Sequence, residues 1–188
     1  MFTVNRMDKA WELALTVDAC GWSPPDVRVR NVSADPAHPH LVVGAGPVLV
    51  YALDARAVTD MAAAWAAAHV RATAVLPLTG PPRGGNRFGN AFPAAQVVLE
   101  GRQDWQVSAP GVGHPYLVVT AGTLTVRVHD RAALDSQLQV WTAASAVGAR
   151  VFGLPLPPFH ELVQRAEMVM YRDMHRAGRL RSAGRDGR

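Results

Sequence analysis

The sequence predicts an α+β domain. Two tandem, pseudo-symmetric repeats form a largely antiparallel sheet with helices on one face, and further helices stand at the N- and C-termini. Three observations predict this. First, residues 38–82 align with residues 114–158 at a constant offset of 76 without a gap, with 17 identities in 45 positions. Chance in a chain this rich in Ala and Val gives about a tenth, so the alignment marks an internal duplication. Second, each copy reads as strand, tight turn, strand, Asp, helix. Third, 49% of the 188 residues are apolar, enough for a substantial core. A unit of about 45–65 residues is marginal by itself, so the two copies are expected to share that core in a single domain over 1–158.

Residues 6–20, RMDKAWELALTVDAC, are expected to form the N-terminal helix. Met7, Trp11, Leu15 (or Ala14) and Asp18 follow helical spacing, and Leu13, Val17 and Cys20 widen the apolar face. Gly21 is the expected stop, and Ser23-Pro24-Pro25 breaks the pattern. VRVRNVS (27–33) alternates with period two and reads as a half-buried strand.

The first repeat core then begins. His40–Val43 and Val48–Leu53 read as strands joined by the turn Gly44-Ala45-Gly46-Pro47, which makes a hairpin. Asp54 is the expected N-cap of a helix over 55–69, and its counterpart Asp130 of a helix over 131–146. Val58, Ala62 and Trp65 in the first helix, and Leu134, Leu138 and Trp141 in the second, repeat at i, i+4, i+7 and mark the buried stripes. A strand is expected after each helix, over 72–78 and 149–154, and further strands over 96–100 and 104–108. Val32-Ser33-Ala34 recurs as Val107-Ser108-Ala109, which extends the repeat upstream with a one-residue length difference.

Two segments stand outside the repeat. Residues 79–95, TGPPRGGNRFGNAFPAA within Thr79–Ala95, form a Gly/Pro/Asn-rich linker too long for a tight turn. A C-terminal helix is expected over 159–180, with Leu162, Ala166, Val169, Met170, Ala177 and Leu180 as its apolar stripe. Residues 181–188 read as a disordered basic tail.

Charge narrows the function classes. Residues 165–188 carry seven of the 19 basic side chains and three of the 15 acidic ones, which leaves twelve of each on residues 1–164. The excess positive charge therefore sits at the C-terminal end, and the body carries no bulk positive field for nucleic acid. No apolar run approaches the roughly 20 residues that span a bilayer. The first residues lack the basic-then-apolar order of a signal peptide. The single cysteine forms no internal disulfide, so a cytoplasmic location is expected. Eighteen arginines against one lysine suggest a high-GC bacterial coding bias.

Candidate chemistry is sparse. His38 and His114 share a repeat position, and His40 adds a third imidazole, but no Cys pair accompanies them and Tyr116 replaces His40 in the second copy. The plainer reading is a loop stiffened by proline, so no metal is expected. Cys20 lacks a nucleophile motif and reads as a small hydrophobe on the first helix. Asp54 and Asp130 read as caps rather than an acid/base pair. No phosphate-binding glycine loop is present, and no cofactor is expected.

The expected function is therefore a non-catalytic cytoplasmic binding module, an adaptor, chaperone or assembly subunit, that engages a protein partner or itself. The contact would be the repeat sheet or the C-terminal helix, with Met170, Arg172, Met174, Arg176 and Arg179 as contact residues. A nucleic-acid-binding reading uses Arg83, Arg87 and Phe88 of the linker with Arg176, Arg179 and Arg181. A third reading is an enzyme with a site between the repeats.

Overall fold

The computed structural model describes residues 2–7, 10–31, 39–46, 48–72, 75–78, 95–110, 115–155 and 157–183; side chains at 2–7, 10–13, 31 and 173–183 are outside that description. Its elements run β1 (Phe2–Met7), β2 (Ala10–Ala19), β3 (Asp26–Asn31), β4 (Pro39–Ala45), β5 (Val48–Ala52), α1 (Ala55–Ala72), β6 (Ala95–Leu99), β7 (Trp105–Ser108), β8 (Leu117–Ala121), β9 (Leu124–Val128), α2 (Arg131–Val151) and α3 (Phe159–Ala183). The fold is α+β, with two separate sheets ordered β1-β2-β9-β8-β7 and β3-β4-β5-β6.

The hairpins form as the alternation requires. β4 pairs antiparallel with β5 from Leu41–Ala52 to Ala45–Val48, and β8 with β9 from Leu117–Val128 to Ala121–Leu124. β4 thus extends through Ala45, past the expected end at Val43. Inward residues Leu41, Val43, Val50, Leu117 and Val128 are sealed from solvent. Each hairpin then receives one parallel strand from the far part of the chain. β6 lies against β5, from Val48–Ala95 to Ala52–Leu99. β2 lies against β9, from Leu15–Leu124 to Ala19–Val128.

The two additions share one register: an offset of 76 carries Val48–Ala52 onto Leu124–Val128, and an offset of 80 carries their partners Leu15–Ala19 onto Ala95–Leu99. Leu53 donates its N–H to the Leu99 carbonyl, as His129 does to Ala19, each at 3.0 Å. Gly101 donates to Asp54 and Gly21 to Asp130. Gln103 donates to Asp60 at 2.8 Å and Ser23 to Ser136 at 2.8 Å. Val27 faces Val43 and Val107 faces Val119, so Val107 corresponds to Val27 rather than to Val32 as the Val-Ser-Ala match suggests.

The helices are exchanged too. α1 follows β5 of the four-stranded sheet but packs on β7 and β8 of the other, and α2, which follows β9, packs on β3 and β4. The helices also pack on each other, with Trp65 and Trp141 fully buried in a core shared by both sheets.

Two sequence expectations fail. Residues 6–20 are not a helix; they lie largely in β1 and β2. WELALTVDA satisfies period two as well as period 3.6, since Trp11, Leu13, Leu15, Val17 and Ala19 alternate with Glu12, Ala14, Thr16 and Asp18. The β9 edge decides between them by pairing the stretch and burying Leu15 and Ala19. The strands expected over 72–78 and 149–154 are absent from the described residues there. α1 and α2 instead run through Ala72 and Val151. The strands beside β5 and β9 are β6 and β2. After α1 the chain makes a turn, with Val75 and Leu76 both donating to the Ala72 carbonyl at 3.1 Å.

Candidate functional site

α1 positions the candidate surface. Its sequence MAAAWAAAHV is apolar nearly all round, and a helix of that kind needs cover on more than one side. The sheet side takes Met61 and Trp65, while Ala62 and Ala66 form a second, small-residue face. α3 covers that face, seating Leu162 on Ala62 and Ala66 with Phe159 and Val163 beside it. The helix starts after Pro157-Pro158, where Glu161 and Leu162 both donate to the Pro158 carbonyl. Glu161 and Arg165 stand one turn apart with 3.5 Å between charged atoms.

The stripe outruns its support. Leu162 is 5% exposed and Ala166 8%, but Val169, the next member at i+7, is 52% exposed. Met168 and Tyr171, away from the stripe, are 55% and 60% exposed. Burying a side chain such as Val169 fully is worth about 1.5–3 kcal/mol, so the exposed end of the stripe leaves apolar surface that α1 does not cover. Of the predicted contact residues, Met170 is half-buried and Arg172 exposed on this stretch. Met174, Arg176, Arg179 and Arg181 lie within the span of α3, and their side chains are outside the described residues. Arg83, Arg87 and Phe88 of the linker lie outside the described residues, as do His38 and His114.

The remaining polar candidates resolve into structure. Asp54 accepts from Ala57 N at 2.9 Å and Asp130 from Ala133 N at 2.7 Å, the geometry of helix N-caps. The second oxygen of each carboxylate does something the sequence did not signal. It holds the peptide N–H that follows the exchanged strand, Gly101 for Asp54 and Gly21 for Asp130. His40 is buried against Tyr51, ring centroids 5.7 Å apart. Among the described residues no three His, Cys, Asp or Glu side chains are grouped to hold a metal ion, and no helix is long and apolar enough to cross a membrane.

Sequence reading missed one further constellation. His129 and Asp18 join side chains across β9 and β2 with 2.7 Å between Nε2 and Oδ1, and the His129 ring packs on Tyr116 at 5.3 Å. A helix over 6–20 could not have placed Asp18 there. Its signal was available only through the strand alternative for β2.

No protein-family model, no curated protein and no solved structure matches this chain.

Proposed function

We propose that the chain is a non-catalytic binding module that engages a protein partner through the outer part of α3, in a reducing compartment such as the bacterial cytoplasm. The observation that supports it is the continuation of the α3 stripe beyond α1 into Val169, which is exposed. An amphipathic helix offered in this way suits a groove that reads its i, i+4, i+7 face. The arginines at 165, 172, 176 and 179 favour a groove rimmed with carboxylates. Methionine at 168, 170 and 174 adapts its shape to a partner at low cost.

A photo-crosslinking residue at 169 or 171, in the native host, tests this. Partner adducts should form there and be absent when the same group stands at the exposed position 135 of α2. Val169→Glu should then weaken binding of the captured partner to purified protein by tenfold or more, with the melting temperature unchanged. Equal adducts from 135 and 169, or unchanged affinity of the Val169→Glu protein, would refute the reading.

The segregated C-terminal arginines favour a second reading, nucleic-acid binding by α3 and the residues after it. It requires affinity that falls steeply between about 50 and 200 mM salt and is lost on truncation to 1–158. Absence of binding at the lower salt removes it.

A further inference from the structure

The apolar stripe of α3 does not stay apolar. Leu162, Ala166 and Val169 stand at i, i+4 and i+7, and the same helical line continues through Asp173, Arg176 and Leu180. Leu162, seated on α1, and Ala166 are 5% and 8% exposed, whereas Val169 is 52% exposed, so the line leaves its cover at Val169. Side chains from 173 to 183 are outside the described residues, and their places here are positions along the α3 backbone. Met170 and Ala177 fall on one flank of the line, and Arg165, Arg172 and Arg179 on the other.

An acid and a base in the middle of a contact line restrict what can cover it. Asp173 calls for a cation opposite and Arg176 for an anion, with an apolar group beyond each. A lipid surface or a wholly apolar groove would desolvate both charges without pairing either. A second copy of α3, running antiparallel, meets every requirement. With the twofold axis between positions 174 and 175, Asp173 of each copy faces Arg176 of the other, and Val169 of each faces Leu180 of the other. A parallel pair in register would set aspartate on aspartate and arginine on arginine. An antiparallel pair shifted by one heptad would set Asp173 on Val169 or Arg176 on Leu180. The charges therefore match in one orientation and one register, and that register leaves Leu162 and Ala166 in their place on the body.

We propose that the outer half of α3 docks antiparallel on the same helix of a second copy of this chain, forming a twofold dimer. This names the partner of the α3 surface and rests on the reading of α3 as the contact helix. The paired stretch, residues 169–180, is about 18 Å long. The arginine flanks of the two copies run beside each other, so the dimer is weak and exchanges readily. Its specificity lies in the two central layers, where Asp173 and Arg176 pair across the axis.

Sedimentation equilibrium of the full chain, from about 5 to 500 µM, tests this. Wild type should pass from monomer to dimer over that range. Asp173→Arg sets arginine on arginine and Arg176→Asp sets aspartate on aspartate, and each should weaken self-association tenfold or more. Mixed in equal amounts, the two variants should form a heterodimer, because both central layers then join unlike charges. The double exchange, Asp173→Arg with Arg176→Asp, should dimerise as wild type does. Circular dichroism confirms that each protein keeps its helices. Dimerisation that ignores both single exchanges overturns the proposal, as does a mixture no more associated than its components. A wild type that stays monomeric throughout also overturns it. In that case crosslinked adducts at 169 with a different protein would still uphold α3 as the contact helix, and equal adducts at 135 and 169 would remove that reading too.

Discussion

Replacing Asp130 with alanine removes two bonds that lie at the junction between the distant halves of the chain. One oxygen accepts from Ala133 N at 2.7 Å and caps α2. The other accepts from Gly21 N at 2.9 Å and anchors the end of β2, 109 residues away. Asp130 is 3% exposed, whereas Gly21 is exposed, so water can meet the Gly21 N–H once the carboxylate is gone. Losing the cap costs about 1 kcal/mol. Losing the bond to Gly21 costs about 0.5–1.5 kcal/mol more. The total, about 2 kcal/mol, lowers the melting temperature by roughly 4–8 °C for a chain of this size. Asparagine separates the two contributions. Its amide has one acceptor oxygen, so Asp130→Asn keeps one bond and loses the other, and its stability should fall between wild type and Asp130→Ala. Thermal and urea unfolding measure the order, and amide exchange at Gly21 should quicken in Asp130→Ala. Asp135→Ala on the exposed side of α2 is the control, expected within about 0.5 kcal/mol of wild type. If Asp130→Ala behaves like that control, the junction between β2 and α2 does not hold the halves together.

Other outcomes are expected. Leu162→Ala, which empties the seat of α3 on Ala62 and Ala66, should cost about 2 kcal/mol, at the lower end for core leucines because the cluster is small. Limited proteolysis should then cleave near 155–158 faster than in wild type, and an unchanged cleavage rate would mean that α3 does not rest on α1. Gln137 occupies the place that Met61 holds in α1, at 2% exposure, with its carbonyl oxygen lacking a protein partner. Gln137→Met should therefore raise stability by about 1–2 kcal/mol by removing a desolvated acceptor. A loss of stability in urea unfolding would show that the Gln137 amide is satisfied in solution.

How much of this was legible in the sequence depends on the range of the interaction concerned. The hairpins at 39–52 and 117–128, the helices capped by Asp54 and Asp130 and the burial of Trp65 and Trp141 all follow from neighbouring residues. Alternation, a short turn, a carboxylate three residues before the N–H it caps and i, i+4, i+7 spacing are local properties, and tertiary packing agreed with them. The α3 stripe was legible for the same reason, although where α1 stops supporting it was not.

The fate of residues 10–19 was a different matter. That stretch satisfies the helical and the strand period equally, and the choice fell to a parallel partner more than a hundred residues away. The same pairing, with its counterpart of β6 on β5, lies beside the two hairpins, and residues 72 and 149–151 are in helices instead of strands. It also joined Asp18 to His129, and turned the second oxygens of two helix caps into ties between the halves. The sequence by itself determined the two hairpins, the two capped helices and the segregation of charge. The tertiary structure alone decided which edge each lone strand joined and which sheet each helix covered. A strand's hydrogen-bonding groups point sideways to whatever edge is open, so its partner is set by the assembled fold and not by its own residues.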